Sequence, residues 1–209
     1  MAQRTTVPTQ PGVADEDIAL VDKTRGGDMG AFSRLVTKYQ DRVVNACWRI
    51  TGDAHEAHDL AQEAFLQAME KVESFQGRSS FYTWLFRIAV NLSISYRRKA
   101  ARRVKLSLHN ADGESTVDHQ AAELVGRVSH EPVEPSAQMS AWELRQQITA
   151  ELEKLDEDHR AVIVLKDIEA FDYQQIADIL EVPLGTVKSR IHRARLMLRG
   201  RLKSAMTSD

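Results

Sequence analysis

A chain of 209 residues, 43% apolar and 28% charged, has the composition of one large or two small globular domains and not of a disordered tail. No run approaches the roughly 18 apolar residues of a membrane span, residues 1–14 lack the apolar core of a signal peptide, and the single cysteine excludes an internal disulfide and a Cys-rich zinc site; the cytoplasm is the expected compartment. The net charge of -2 conceals a segregation, with eight basic residues and no acid from Arg78 to Lys105, seven and no acid from Val182 to Lys203, and 13 basic against 30 acidic residues elsewhere. Two basic segments on an acidic background fit two contacts with one polyanion, although two solvated helix faces would look the same.

Residues 1–14 read as a flexible leader, and helical periodicity begins at Ile18. From Ala31 to Ile50 the apolar residues Phe32, Leu35, Val36, Tyr39, Val43, Ala46, Cys47 and Ile50 fall on one helix face, which makes Cys47 a buried hydrophobe. Asp53 is placed to cap the next helix, whose inner face reads Ala57, Leu60, Ala61, Ala64, Phe65 and Met69. Between Asp53 and Glu73 this segment carries six acids against Lys71. That is the wrong sign for DNA and suits a basic protein groove, with Asp59, Gln62 and Glu63 on the outer surface. His55, His58 and Glu63 have ligand-like spacing but no His-Glu-x-x-His pair, so no metal and no cofactor are expected.

From Phe81 a helix runs through the Arg97-Arg98-Lys99 cluster. Phe81, Leu85, Ile88, Ala89, Leu92 and Tyr96 share one face of it, and Trp84, Arg87, Asn91, Ser95, Arg98 and Arg102 share another. An indole that can stack, an amide that can read a base edge and arginines that hold phosphates suit single-stranded or opening DNA. Residues 106–139, with Gly113, Gly126, Pro132, Pro135 and an excess of acid, read as a flexible linker. Near the C-terminus Asp172 and Gln175 have the spacing of a capping box, Ile176, Ala177 and Leu180 face inward, and after a break at Glu181-Val182-Pro183 a second helix buries Val187, Ile191, Ala194 and Leu198. The expected architecture is all-α, with a domain over 15–105 and a helix-turn-helix domain over 140–209. Thr186, Lys188, Ser189, Arg190, His192 and Arg193 project from the second helix, with Arg195, Arg199 and Lys166 of the preceding helix better placed for phosphates.

The runs Asp59-Leu60-Ala61-Gln62-Glu63-Ala64-Phe65, Phe75-Gln76-Gly77 and Phe81-Tyr82-Thr83-Trp84-Leu85-Phe86-Arg87-Ile88-Ala89-Val90-Asn91 resemble the second conserved region of extracytoplasmic-function (ECF) sigma factors. Gly185-Thr186-Val187-Lys188-Ser189-Arg190-Ile191-His192-Arg193-Ala194-Arg195 resembles their fourth. The resemblance implies a bacterial transcription initiation factor that binds core RNA polymerase, reads the minus-thirty-five element with its C-terminal domain and melts the minus-ten element with its N-terminal one. It also implies an anti-sigma protein as inhibitor, no membrane insertion, no need of a homo-oligomer and no catalysis. Asp59, Gln62 and Glu63 would then meet the polymerase, and Phe75, Trp84, Arg87, Asn91, Arg98 and Arg102 the minus-ten region. Lys166, Thr186, Lys188, Ser189, Arg190, His192, Arg193, Arg195 and Arg199 would meet the minus-thirty-five element. His58, Ser95, Gln174-Gln175 and His192 depart from the family pattern without removing a motif. A dimeric helix-turn-helix repressor has no use for the aromatic segment, and a nuclease built on His55, His58 and Glu63 is the remaining alternative.

Overall fold

The computed structural model describes residues 11–110 and 148–206, and among these every regular element is helical. α1 spans Pro11–Arg25, so helix begins inside the stretch expected to be a leader. Proline is at ease there, because the first helical position needs no N–H donor and its φ is already helical. α2, Met29–Thr51, starts where the Asp28 carboxylate accepts from the Ala31 N–H at 3.1 Å. It stops at Gly52, whose φ of 79° lies in the left-handed region and whose N–H reaches the Trp48 carbonyl at 2.7 Å.

α3, Ala54–Glu70, is capped by Asp53 as expected, the carboxylate accepting from His55 N–H at 2.9 Å and Glu56 N–H at 3.1 Å. Ala57, Ala61, Ala64 and Ala68 form most of its buried face, and side chains this small let α3 lie close against α2 and α4. The face ends at Ala68. Met69 stands one helical step of about 100° farther round and is 36% exposed, contrary to the sequence expectation, and Val72 in the short 3-10 turn Val72–Ser74 supplies the next core contact instead.

α4, Phe81–Asn110, carries Phe81, Leu85, Phe86, Ala89 and Val90 into the core beside Leu35, Val43, Cys47 and Ile50 of α2. Burial pushes the Cys47 thiol up to about 11 against the opposing hydrogen bond to Ser93, so the sulfur stays protonated and acts as packing. Helix continues to Asn110, past the expected domain end at Lys105. The rest of the expected linker, and residues 140–147 of the expected second domain, lie outside the described residues.

Among the described residues the C-terminal domain opens on a helix over 148–153 (α5) and α6, Glu157–Ile163, which the Asp156 carboxylate caps by accepting from His159 N–H at 3.0 Å. A π-helical turn, Val164–Ile168, leads to α7, Tyr173–Leu180, and α8, Leu184–Met206. The Asp172–Gln175 capping box forms at 2.8 and 2.9 Å. Ile176 and Ala177 face inward, with Ile179 buried and Leu180 half-buried on the same side. Val187, Ile191 and Ala194 are buried and Leu198 half-buried, as their spacing predicts. No described helix is long and apolar enough to cross a membrane.

The two domains pack on each other, which the sequence reading did not anticipate. Phe171 is buried between Tyr82, a stacked ring at 4.9 Å, and Phe86 at 5.1 Å, both on α4. It is held there by a strained lead-in, the π turn followed by Ala170 at φ 60°, a left-handed conformation that costs a residue with a Cβ about 1–2 kcal/mol. Beside it the buried Glu169 carboxylate accepts from Tyr82 Oη at 2.9 Å and Arg42 Nε at 3.2 Å. Arg160 is fully buried and carries the second anchor, donating from Nη1 to the Ile50 carbonyl of α2 at 2.8 Å and from Nη2 to the carbonyls of Leu155, at 3.1 Å, and Glu153. Burial and the neighbouring Arg97 lower the Arg160 guanidinium to about 10, which leaves it charged at neutral pH. Arg97 Nη1 itself binds the Thr51 carbonyl at 3.0 Å, so two cations meet the negative end of α2.

Candidate nucleic-acid and polymerase interfaces

The first candidate surface is the outward stripe of α4. Arg87, Asn91, Ser95, Arg98 and Arg102 are all exposed on it, as their spacing requires. Trp84 is half-buried, its ring 5.2 Å from Phe75 and 5.8 Å from Phe81. Those two rings are themselves buried, so the indole is pre-oriented on an aromatic floor. Phe75, expected to touch DNA, is only 5% exposed and belongs to that floor. A large apolar ring beside Phe81 gains more from burial than from facing water. Arg25 fixes the approach to this loop by donating from Nε to the Val72 carbonyl at 3.2 Å and from Nη2 to that of Phe75.

The second surface is α8 with the turn before it. Lys188, Ser189, His192, Arg193 and Arg199 are exposed, and Thr186 is half-buried. The Ser189 hydroxyl donates to the Thr186 carbonyl at 2.9 Å, leaving its lone pairs outward. Five of the expected DNA contacts are already engaged. Lys166 Nζ donates to the Phe171 carbonyl at 2.9 Å and lies 5.0 Å from the Tyr173 ring, so it stabilises the interdomain loop in this arrangement. Arg195 forms a two-pronged pair with Asp167, Nε to Oδ2 at 3.1 Å, and that hydrogen bond raises its pKa further. Arg190 Nη2 meets Asp158 Oδ2 at 2.8 Å, Arg98 meets Glu157 at 3.2 Å and Asp158 at 3.0 Å, and Arg87 meets Glu181.

The third surface is the outer face of α3, where Asp59, Gln62 and Glu63 are exposed as expected. Sequence reasoning missed its centre. Leu66, 56% exposed, stands within the same arc at i+7 from Asp59, with Met69 beside it, so the acidic face encloses an apolar patch. An apolar residue set off the buried stripe was the available signal. Among the described residues no group of three or more metal-ligating side chains occurs, and His55 lies 3.6 Å from Asp59 as an ordinary i,i+4 neighbour.

A basic helix seated on an aromatic floor in one domain, a helix-turn-helix in the other and an acidic face around an apolar patch are the surfaces that a nucleic-acid-binding protein with a further protein partner would use. The chain matches Sigma-70 region 2 over residues 35–103 and Sigma-70 region 4 over residues 145–198. It is 37% identical to the ECF RNA polymerase sigma factor SigW of Bacillus subtilis over 88% of this chain and 95% of that one. It is also 37% identical to the ECF RNA polymerase sigma-E factor of Escherichia coli K12, over 86% and 90%. Among solved structures, RpoE of Bartonella quintana in complex with the anti-sigma factor NepR superposes with a TM-score of 0.60 at 28% identity, over 82% of this chain and 96% of that one. CnrH in complex with the cytosolic domain of CnrY shares the fold, with a TM-score of 0.63 at 23% identity over 91% and 99%. The chain belongs to the ECF sigma factors of bacterial RNA polymerase. Its function is to direct core RNA polymerase to promoters and so to initiate transcription.

Proposed function

We propose that Trp84, Asn91 and the arginines of the α4 stripe divide the work at the minus-ten element. Trp84 stacks against the opening base pair, Asn91 reads an extruded base of the non-template strand, and Arg87, Arg98 and Arg102 hold its phosphates. The observation that carries this reading is the indole seated on the buried Phe75–Phe81 floor in line with an exposed amide and three guanidiniums on one rigid helix. Flipping costs a few kcal/mol, and stacking with base-edge hydrogen bonds returns about 1–3 kcal/mol per base. Asn91→Ala is expected to relax minus-ten base preference while leaving closed-complex formation unchanged. Permanganate footprinting of the bubble on a minus-ten substitution series checks this, and a normal footprint with unaltered preference contradicts it.

The α3 face docks on the clamp of the polymerase largest subunit, with Asp59, Gln62 and Glu63 ringing Leu66. Asp59→Arg is expected to weaken holoenzyme assembly about tenfold, the loss of one good interfacial charge pair, while the melting temperature stays unchanged because the side chain is exposed. Core-polymerase affinity measured by fluorescence anisotropy decides this. The factor works in the cytoplasm without catalysing a reaction itself, and a protein inhibitor regulates it, as the complexes of RpoE with NepR and CnrH with CnrY illustrate for those relatives.

A further inference from the structure

The last residue of α1 is tied to a segment 47 to 50 positions later in the chain. Arg25 donates from Nε to the Val72 carbonyl at 3.2 Å and from Nη2 to the Phe75 carbonyl, so one guanidinium spans the short 3-10 turn from its first residue to the residue after its last. Its third nitrogen, Nη1, binds Asp22 Oδ1 at 3.0 Å. With all three nitrogens engaged inside the protein, this arginine holds backbone and not phosphate. Its own backbone is equally fixed. Asp28 N–H reaches the Lys23 carbonyl at 3.0 Å and Gly27 N–H the Thr24 carbonyl at 2.9 Å, the pair of bonds that ends a helix on a left-handed residue, here Gly27 at φ 90°.

Phe75 is therefore held on two sides, its carbonyl by Arg25 and its ring by Phe81 and Trp84, 6.1 and 5.2 Å away. From there Gln76, Gly77 and Arg78 run exposed to Ser79 and Ser80, and the Ser80 hydroxyl accepts from the Thr83 N–H at 3.1 Å at the start of α4. A short exposed loop anchored at both ends is the usual way in which a rigid scaffold presents contact groups. All of these residues belong to the N-terminal domain, so the arrangement does not depend on how the two domains pack.

We infer that Arg25 is a positioning residue for base selection at the minus-ten element, setting from α1 where the 76–79 loop stands against Trp84. The inference rests on the reading of Trp84 as the platform for the opening base pair. A base stacked on that indole lies against the loop, so a shift of the loop changes which bases fit. Loss of the Arg25 fork frees the Phe75 carbonyl and blurs that choice without removing any group that touches DNA.

The test uses holoenzyme formed with the full chain as wild type, Arg25→Ala, Arg25→Lys, Trp84→Ala, and Arg25→Ala combined with Trp84→Ala. Open-complex yield on a minus-ten substitution series is read by permanganate footprinting at several salt concentrations. Preference is the ratio of yields for the best and second-best base at each position, and a ratio does not move when a destabilised variant merely leaves less active protein. Trp84→Ala, which removes the platform, is expected to erase preference at one position, and Arg25→Ala to lower it about fivefold at that same position with the salt slope unchanged. Arg25→Lys keeps the charge but cannot span two carbonyls, and its ratio is expected to match that of Arg25→Ala to within about twofold. The combined variant is expected to lose no more preference than Trp84→Ala alone, because Arg25 acts through that site. If Trp84→Ala lowers the ratio and Arg25→Ala does not, the inference fails while the reading of Trp84 stands. Additive losses in the combined variant, or rescue by Arg25→Lys with a salt slope lower by about one in Arg25→Ala, which marks a phosphate contact, overturn it as well. If Trp84→Ala leaves every ratio at the wild-type value, the reading of Trp84 fails and the inference with it.

Discussion

Arg160→Met is expected to cost the full chain about 3 kcal/mol. The guanidinium is fully buried and serves carbonyls from both domains, Ile50 on one side and Glu153 and Leu155 on the other. A thioether of similar length fills part of the volume but donates nothing, and each buried acceptor left without a donor costs about 1–3 kcal/mol. Arg160→Lys keeps one of these bonds and should lose less. Because Arg160 links the end of α2 to α6, its removal should also uncouple the domains, so a single cooperative transition becomes two. Urea denaturation followed by tryptophan fluorescence and by circular dichroism checks both points. Coincident transitions with a loss below about 1 kcal/mol, the range of an exposed ion pair, would contradict this role.

On the recognition helix, Arg193→Ala and Arg199→Ala are expected to fail in different ways. Arg193 lies in the N-terminal half of α8, the part that reaches base edges in helix-turn-helix docking, and Arg199 stands almost two turns farther on. Loss of a bidentate base contact costs about 1–3 kcal/mol at one base pair and relaxes preference there, whereas loss of a phosphate contact weakens all sequences alike and lowers the salt slope by about one. Holoenzyme binding to a minus-thirty-five substitution series at several salt concentrations separates the two. A uniform loss for Arg193→Ala, or a base-specific loss for Arg199→Ala, would mean that the helix is turned the other way in the groove.

The elements governed by local rules were legible from the residues. Asp53 and the Asp172–Gln175 pair cap the helices they were expected to cap, and the stripes of α2 and α8 are buried at the predicted positions apart from Val36 and Leu198, which are half-buried. Exposure of the α4 stripe followed from periodicity alone. What escaped depends on neighbours distant in sequence. Whether Phe75 faces DNA or Phe81 turns on how the loop folds back under α4, held by Arg25 some fifty residues earlier. That Arg87 and Arg98 are committed to acids of the C-terminal domain turns on the packing of the two domains, and no periodicity within a helix encodes that packing. Asp158, which the sequence analysis did not single out, meets Arg98 and Arg190 only because the fold brings residues 60 and 32 positions apart together.

Multi-round run-off transcription on a library of bacterial genomic fragments tests the central claim most directly, with core polymerase alone, the chain alone and the two together. Only the combination should give discrete start sites sharing one upstream pair of elements, and the chain alone should neither select nor cleave those fragments. Start sites unchanged by adding the chain, or tight sequence-specific binding by the chain without polymerase, would contradict the account.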